Sequence, residues 1–164
     1  MSKDITILMN DNKVKICENV INTMFNHIQQ GLLSKESGGI LIGKENKSDE
    51  NIVIKHITIP MAKDKRRYNK FIRKDKKHLD IFYELYRSSN ATLRYIGEWH
   101  THPEAVPNFS DIDLTNWEKI ANDSNTFNYY IHVIAGCEAI RVWFLSCKGN
   151  NVRLISTIYW KDVK

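Results

Sequence analysis

The sequence predicts an α/β domain in which a mixed β-sheet is flanked by two or three helices. Its 164 residues are 42% hydrophobic and 26% charged, which is typical of a globular domain that buries a core without disulfides. Segments rich in β-branched residues alternate along the chain with segments in which apolar residues recur at helical spacing. The sequence contains no repeat, low-complexity tract or Gly/Ser-rich linker, so we expect a single domain over residues 1–164.

The N-terminal half predicts two short strands, a helix and a β-hairpin. The strands are expected at Ile5–Met9 and Val14–Ile16, and an amphipathic helix is expected from Val20 to about Gly31. An apolar run at Gly38–Gly43 and an alternating run at Asn51–Pro60 predict two further strands. Because a short polar segment separates these two runs, we expect them to pair as a hairpin.

The C-terminal half predicts two more helices and four strands. Asp75 is expected to cap a helix with a buried apolar stripe, formed by Leu79, Phe82, Tyr83, Leu85 and Tyr86. Leu93–His102 should be a strand, and Ser110 should cap a helix from Asp111 to about Asn122. The last three strands are expected at Tyr129–Ala135, Ala139–Cys147 and Val152–Trp160.

Cysteine usage and hydropathy indicate the compartment. The three cysteines, Cys17, Cys137 and Cys147, show no C-x-x-C spacing, which argues against a disulfide framework or a four-sulfur zinc site. The N-terminus lacks a signal-peptide core, and no apolar run approaches the roughly 18 residues of a membrane span. We therefore expect a cytoplasmic protein that has no membrane partner.

Positive charge is concentrated in one segment, Lys63–Lys77. The net charge of the chain is +5, and this segment holds nine of the 24 Lys and Arg residues against two Asp residues. One interpretation is a solvated loop that runs into the helix beginning near Asp75. The other is a binding module for nucleic acid or a protein partner, for which salt-dependent retention on DNA without any cleavage would be diagnostic.

The segment from Glu98 to Asp113 carries the clearest chemical signal. His100 and His102 are two residues apart at a predicted strand end, so both imidazoles should project to the same side. A tight proline-containing loop can bring Asp113, at the start of the next helix, beside them. Two nitrogens and one oxygen leave a fourth tetrahedral position for water, as in catalytic zinc sites. The alternative is that Ser110 and Asp113 form only a helix capping box, with the two histidines as an exposed or core pair.

These residues match a family signature. His100, His102, Ser110 and Asp113 closely resemble the JAMM pattern H-x-H-x7-S-x-x-D of the JAB/MPN+ metalloproteases, and Glu36 stands before the apolar strand G-G-I-L-I-G, as that family requires. The resemblance spans roughly residues 19 to 160. It implies a zinc-dependent peptidase or isopeptidase with the cytidine-deaminase-like α/β/α fold of JAB domains, in which a central mixed sheet is flanked by helices.

The resemblance also implies a role for each residue. His100, His102 and Asp113 would hold one catalytic Zn²⁺, which lowers the pKa of a water towards about 7. Glu36 would take the proton of that water and deliver it to the leaving amine, and Ser110 would donate a hydrogen bond to the developing oxyanion. Glu98 lies two residues before His100, so it would either orient a histidine or be an interior acid bonded to the backbone. The four other histidines are expected to be packing or surface residues, at positions 27, 56, 78 and 132.

The residues that flank the motif indicate a subfamily. The stand-alone length, G-E-W-H-T-H-P-E and F-S-D-x-D look most like the bacterial JAB proteins of antiphage CBASS operons. That likeness implies an isopeptidase that removes a CD-NTase (cGAS-like nucleotidyltransferase) from target proteins to which an E1–E2 fusion has joined its C-terminus. Arg66, Arg67 and Lys70 would attract an acidic substrate surface. The alternative substrate is a bacterial ubiquitin-like or sulfur-carrier protein, and nucleic acid is a less favoured partner.

Overall fold

The computed structural model describes residues 3–124 and 127–163, over which it contains ten strands and four helices. The strands are β1 (Ile5–Met9), β2 (Asn12–Ile16), β3 (Gly38–Glu45), β4 (Ile52–Ile57), β5 (Lys65–Arg67), β6 (Lys70–Ile72), β7 (Arg94–Thr101), β8 (Tyr129–Ala135), β9 (Ala139–Ser146) and β10 (Asn151–Tyr159). The helices are α1 (Glu18–Asn26), α2 (Lys77–Ser88), α3 (Asp111–Asp123) and α4 (Trp160–Val163).

Eight strands form one mixed sheet in the order β1-β2-β4-β3-β7-β8-β9-β10. Two neighbouring pairs, β2 with β4 and β7 with β8, are parallel, and the other pairs are antiparallel. The predicted pairing of the Gly38 and Asn51 runs is confirmed as the β3–β4 hairpin. The centre of the sheet is the antiparallel pair β3–β7, in which Gly38 lies opposite His100.

Helices cover both faces of this sheet, which gives the predicted α/β/α architecture. On one face α1 packs Ile21 and Met24 into a core with Trp99 of β7. On the other face Trp117 of α3 packs against Trp143 of β9, and α2 covers Ile40 and Ile42 of β3. Within residues 3–124 and 127–163, no helix has the length and apolar character that a bilayer crossing needs.

The predicted buried stripe of α2 is right for Phe82 and Leu85 and wrong for its other three residues. Leu79, Tyr83 and Tyr86 are exposed, while the inward face starts at His78, which is fully buried, and continues through the half-buried Phe82 and Leu85. His78 turns inward because its ring nitrogens contact Asp64 at 2.8 Å and Thr58 at 2.6 Å. Residues 78, 82 and 85 share one face of the helix, and residues 79, 83 and 86 lie about 100° around the axis from it. The buried bonds of His78 therefore place the second set on the exposed side.

The basic segment is also more ordered than the predicted solvated loop. It contains a short antiparallel hairpin, β5–β6, which we call the basic hairpin (residues 65–72).

The predicted first helix ends earlier than expected, at Asn26 instead of near Gly31. After this end, Gln29 donates a hydrogen bond of 2.7 Å to the carbonyl of Tyr68 at the tip of the basic hairpin. The chain between α1 and β3 is therefore tied to the hairpin and does not continue the helix.

Candidate metal centre

The C-terminal end of β7 presents the two histidines as their spacing predicts. The Nε2 atoms of His100 and His102 converge to 3.0 Å. Thr101 points to the other side of the strand, where its hydroxyl accepts a 2.9 Å bond from the backbone N–H of Ser37. Strand alternation therefore accounts for the paired imidazoles, and both rings are buried.

The first turn of α3 supplies the third side chain. Asp113 Oδ1 lies 3.2 Å from His100 Nε2, and Asp113 Oδ2 lies 3.3 Å from His102 Nε2. Ser110 forms the capping box: its hydroxyl accepts from the Asp113 N–H at 3.2 Å and lies 2.7 Å from Asp113 Oδ2. The cap is thus part of the site, because it fixes the rotamer that turns the carboxylate towards the histidines.

The three side chains fit a tetrahedral metal ion by donor type and by spacing. Their ligand atoms all lie within 4.8 Å of one another. Ligand atoms about 2.0–2.1 Å from a tetrahedral Zn²⁺ would be about 3.3–3.4 Å apart, close to the 3.0, 3.2 and 3.3 Å observed here. Two imidazole nitrogens and a carboxylate are a ligand set that zinc accepts, and they leave one position open.

Glu36 reaches the same place from the neighbouring strand. It lies two residues before β3, and the next residue, Ser37, is bonded to Thr101 twice: its carbonyl accepts from the Thr101 N–H at 2.8 Å, and its N–H donates to the Thr101 hydroxyl at 2.9 Å. This register sets Glu36 beside His102, with Glu36 Oε1 3.9 Å from His102 Nε2. The structure therefore brings four of the five predicted motif residues around one point, and the fifth, Ser110, is hydrogen-bonded to Asp113.

Comparison with known families agrees with this geometry. Residues 18–146 match the family model described as prokaryotic homologs of the JAB domain. The chain belongs to the JAB-domain family. The matched range contains the β7 histidines, Glu36 and the first turn of α3, so every residue of the centre lies inside the family domain.

Curated relatives and a solved structure are similar to this JAB domain over most of its length. A Pseudomonas aeruginosa protein named CD-NTase/cGAS isopeptidase is 31% identical over 80% of this chain and 82% of its own. Proteins of the same name from Escherichia coli (38% identical, 65% and 67% covered) and Vibrio cholerae (30%, 73% and 77%) also match. A Desulfitobacterium hafniense protein solved in solution shares the fold, with a TM-score of 0.59 at 13% identity over 85% of this chain and 87% of its own.

Burial and hydrogen bonds between the site residues set the pKa values of the JAB centre. Glu36 is only 3% exposed, and desolvation raises its pKa to about 8, although the neighbouring His102 opposes the shift. Burial also acts to raise the pKa of Asp113, but hydrogen bonds with His100 and His102 outweigh it and hold that pKa well below its usual range. For His102, burial acts to lower the pKa, and the bond to Asp113 raises it above 6.5. Asp113 is thus an anion, and Glu36 is a carboxyl group that holds a proton readily.

The three basic residues predicted to contact substrate do not share one environment. Arg67 and Lys70 of the basic hairpin are exposed. Arg66 points inward instead: its Nε donates to the carbonyl of Glu36 at 2.7 Å, and its guanidinium also contacts the Ser37 hydroxyl at 2.7 Å. The reason is strand alternation, since the residue between two outward-facing cations in β5 must face the other side.

Over the residues that the structure describes, the Glu98 carboxylate is bonded to other side chains, and not to a histidine ring or to the backbone as the two alternatives predict. Its Oε1 accepts from Arg73 Nε at 2.9 Å and from the Tyr95 hydroxyl at 2.8 Å, while its backbone N–H donates to His132 at 3.3 Å. His132 is fully buried and stacked on Trp117 at 4.5 Å, and burial lowers its pKa to about 3. It is a neutral packing residue, as expected.

A groove of about 340 Å³ adjoins the centre, between the basic hairpin and α3. Its walls come from β6, the end of β7 and the outer turns of α3, and they include His100 and Asp113. Phe71, Arg73 and Asn116 line this groove and were not among the site residues predicted from the sequence. No motif marks them, because they become neighbours only when the hairpin folds against α3.

Proposed function

We propose that this JAB domain is a zinc-dependent isopeptidase that cleaves the bond after the C-terminus of a CD-NTase joined to a target protein in CBASS antiphage defence. The observation that carries the proposal is the convergence of His100, His102 and Asp113 beside the buried carboxyl of Glu36. Three relatives named CD-NTase/cGAS isopeptidase, at 30–38% identity, support the substrate class.

His100, His102 and Asp113 would hold the metal through two imidazole nitrogens and a carboxylate oxygen. When bound, Zn²⁺ supplies a Lewis acid that polarises a carbonyl and lowers the pKa of a water towards about 7. Asp113 is suited to this role because it is ionised and is oriented by the capping box with Ser110. The fold thus supplies the ligand set before any metal binds.

Glu36 is the proposed general base and acid. A water adds to the carbonyl carbon of the isopeptide bond, Glu36 accepts one of its protons, and the C–N bond then breaks as Glu36 delivers that proton to the leaving amine. The second proton of the water leaves the new carboxyl group, so that the products at neutral pH are a C-terminal carboxylate and a lysine ammonium group. Burial raises the pKa of Glu36 to about 8, and a cation held by the neighbouring ligands would act to lower it, which favours the ionised form that accepts the proton.

Ser110 and the groove complete the proposed machinery. The exposed Ser110 hydroxyl donates to Asp113 Oδ2 at 2.7 Å, and it would stabilise a developing oxyanion by turning that hydrogen bond from Asp113 to the substrate. The extended C-terminal tail of the substrate would lie in the groove between the basic hairpin and α3, and its chain would end at the metal ligands. Arg67 and Lys70 at the rim would attract an acidic substrate surface.

The experiment is cleavage of a CD-NTase that carries a reporter protein fused to its C-terminus. We expect hydrolysis at the junction, loss of activity with a chelator and recovery with Zn²⁺. Glu36→Gln should bind the fusion but cleave it at least 10²-fold more slowly. If the fusion stays intact while a ubiquitin-like or sulfur-carrier fusion is cut, the alternative substrate class is correct. If neither is cut and the protein instead binds DNA in a salt-dependent way, the enzymatic proposal fails.

A further inference from the structure

We propose that Arg66 is a positioning residue for the reaction and that the basic hairpin is the element that sets the place of the general base. The inference rests on the proposed function, because it assumes that Glu36 is the proton carrier. It assigns to Arg66 a role in kcat, which differs from substrate capture by a surface cation.

The contacts of Arg66 are directed at the backbone that carries Glu36. Arg66 Nε donates to the Glu36 carbonyl at 2.7 Å, and Nη2 contacts the Ser37 hydroxyl at 2.7 Å and the Lys35 carbonyl at 3.3 Å. One guanidinium therefore bonds to three consecutive residues. Its planar fork of donors makes this grip rigid, which a single ammonium group cannot reproduce.

The basic hairpin also holds the other backbone group of Glu36. The Glu36 N–H donates to the carbonyl of Arg67 at 2.8 Å. Both peptide groups of the proposed base are thus bonded to β5, on one side through the backbone and on the other through the Arg66 side chain. The chain before Glu36, from Ile28 to Lys35, has no regular secondary structure, so helix or sheet bonding does not fix it from that direction.

The hairpin is itself well anchored, so it can act as a fixed support. Asp64, just before β5, accepts bonds from the N–H groups of Met61 (2.8 Å) and Asp75 (3.0 Å) and contacts His78 of α2 at 2.8 Å. The hairpin also packs tightly on β3. A Cβ at Gly38 would lie 2.5 Å from the Phe71 ring, so the absent side chain allows this close approach.

The expected effect is a loss of rate without loss of metal. When the Arg66 side chain is removed, the backbone around Glu36 keeps its hydrogen bonds to Thr101 and to the Arg67 carbonyl. It loses the hydrogen bonds from the guanidinium to the Glu36 carbonyl and to the Ser37 hydroxyl. A displacement of the base of about 1 Å is enough to cost on the order of 10²-fold in rate. The proposed metal ligands lie on β7 (His100), directly after it (His102) and on α3 (Asp113), and Arg66 contacts none of these elements in the bonds given above, so zinc binding should be unchanged.

The test compares Arg66→Ala and Arg66→Lys with a control on the same strand, Lys65→Ala, which removes an exposed cation. Activity is measured on a short uncharged peptide substrate to exclude long-range charge effects. We expect kcat to fall about 10- to 100-fold in Arg66→Ala, with KM within about threefold of wild type, full zinc content and partial recovery in Arg66→Lys. Lys65→Ala should match wild type.

Two further readouts separate positioning from general destabilisation. In a Glu36→Gln background, Arg66→Ala should add little to the loss of rate, because the residue acts through Glu36. Hydrogen exchange of a peptide covering residues 34–38 should be faster in Arg66→Ala, in the metal-free protein as well as with zinc. Equal kcat for Arg66→Ala and wild type, or additive losses in the double variant, would overturn the inference.

The two proposals fail in different ways. If Glu36→Gln is as active as wild type, the assigned base is wrong and the proposed mechanism falls. If Glu36→Gln is inactive while Arg66→Ala retains the wild-type kcat and exchange rate, the mechanism stands and only the role of Arg66 is refuted.

Discussion

Asp64 is the residue whose removal should most clearly release the basic hairpin. Its fully buried carboxylate accepts bonds from the N–H groups of Met61, Lys74 and Asp75 and contacts His78 Nε2, all at 2.8–3.0 Å. Asp64→Ala leaves these donors without their acceptor. The N–H of Lys74 is exposed, so water can replace its bond, but the other three are at least partly buried.

Each fully buried donor left unpaired costs about 1–3 kcal/mol, and these three bonds are partly buried. We therefore expect Asp64→Ala to lower the free energy of unfolding by an amount in the lower half of the sum of these costs, about 3–5 kcal/mol. For a domain of this size that corresponds to a fall in Tm of about 6–20 °C. Denaturant unfolding of the metal-free protein measures the change. Asp80→Ala is the matched control, because Asp80 makes only a 3.8 Å exposed contact with Lys76 on α2 and should change stability by less than about 0.5 kcal/mol.

The same carboxylate gives the prediction a pH dependence. Burial acts to raise the pKa of Asp64, but hydrogen bonds from Asp75, His78 and neighbouring N–H groups outweigh it and lower the pKa below 3.8. A depressed folded-state pKa contributes stability that is fully present above about pH 4 and is lost as the pH falls through the folded value. The gap between wild type and Asp64→Ala should therefore narrow below pH 4. A difference of less than 1 kcal/mol at pH 7 would refute the anchoring argument.

Three other predictions concern the packing of the sheet, the proposed metal ligands and the exposed cations of the basic hairpin. A Cβ at Gly97 would lie 1.8 Å from the carbonyl oxygen of Ile131, so Gly97→Ala must separate β7 from β8 and should destabilise the fold by about 1–3 kcal/mol in thermal unfolding. Burial acts to lower the pKa of His102 but the hydrogen bond to Asp113 raises it above 6.5, so zinc affinity measured by competition with a chromophoric chelator should weaken as pH falls, beginning at a higher pH than for an ordinary histidine. A pH-independent affinity between 5.5 and 8 would contradict this. Changing Arg67 and Lys70 together to Glu should lower kcat/KM for a folded acidic substrate and remove its salt dependence, while a short uncharged peptide is cleaved as before. Equal salt slopes for the two proteins would leave these cations without a part in capture.

Most of the geometry of the candidate metal centre could be predicted from the sequence, because it follows from strand alternation and helix capping. Strand alternation places His100 and His102 on one side, and the capping box places Asp113 at the first turn of a helix. The apolar run after Glu36 predicts a strand, and a strand next to β7 brings Glu36 to the histidines. The family resemblance supplied what local rules do not, namely that Glu36 belongs to the same site as the histidines.

The role of the basic segment was not readable in the same way. Tyr68 and Asn69 form the turn of the basic hairpin without the Asn-Gly or Asp-Gly pair that usually marks one. The inward direction of Arg66 then depends on the hairpin forming and on its contact with a loop 30 residues away in sequence. The exposure of Leu79, Tyr83 and Tyr86 on α2 was not predicted for a similar reason. His78 was expected to be a packing or surface residue, but its bonds to Asp64 and Thr58 orient the helix.

Zinc content and X-ray absorption at the zinc edge test the central claim most directly. The protein purified with zinc should hold about one ion per chain, coordinated by two imidazoles and a carboxylate at about 2.0–2.1 Å. His100→Ala and Asp113→Ala should each lose the ion, while Glu36→Gln keeps it and loses cleavage of the CD-NTase fusion. Full zinc content in both ligand variants, or a coordination sphere with sulfur, would contradict the account.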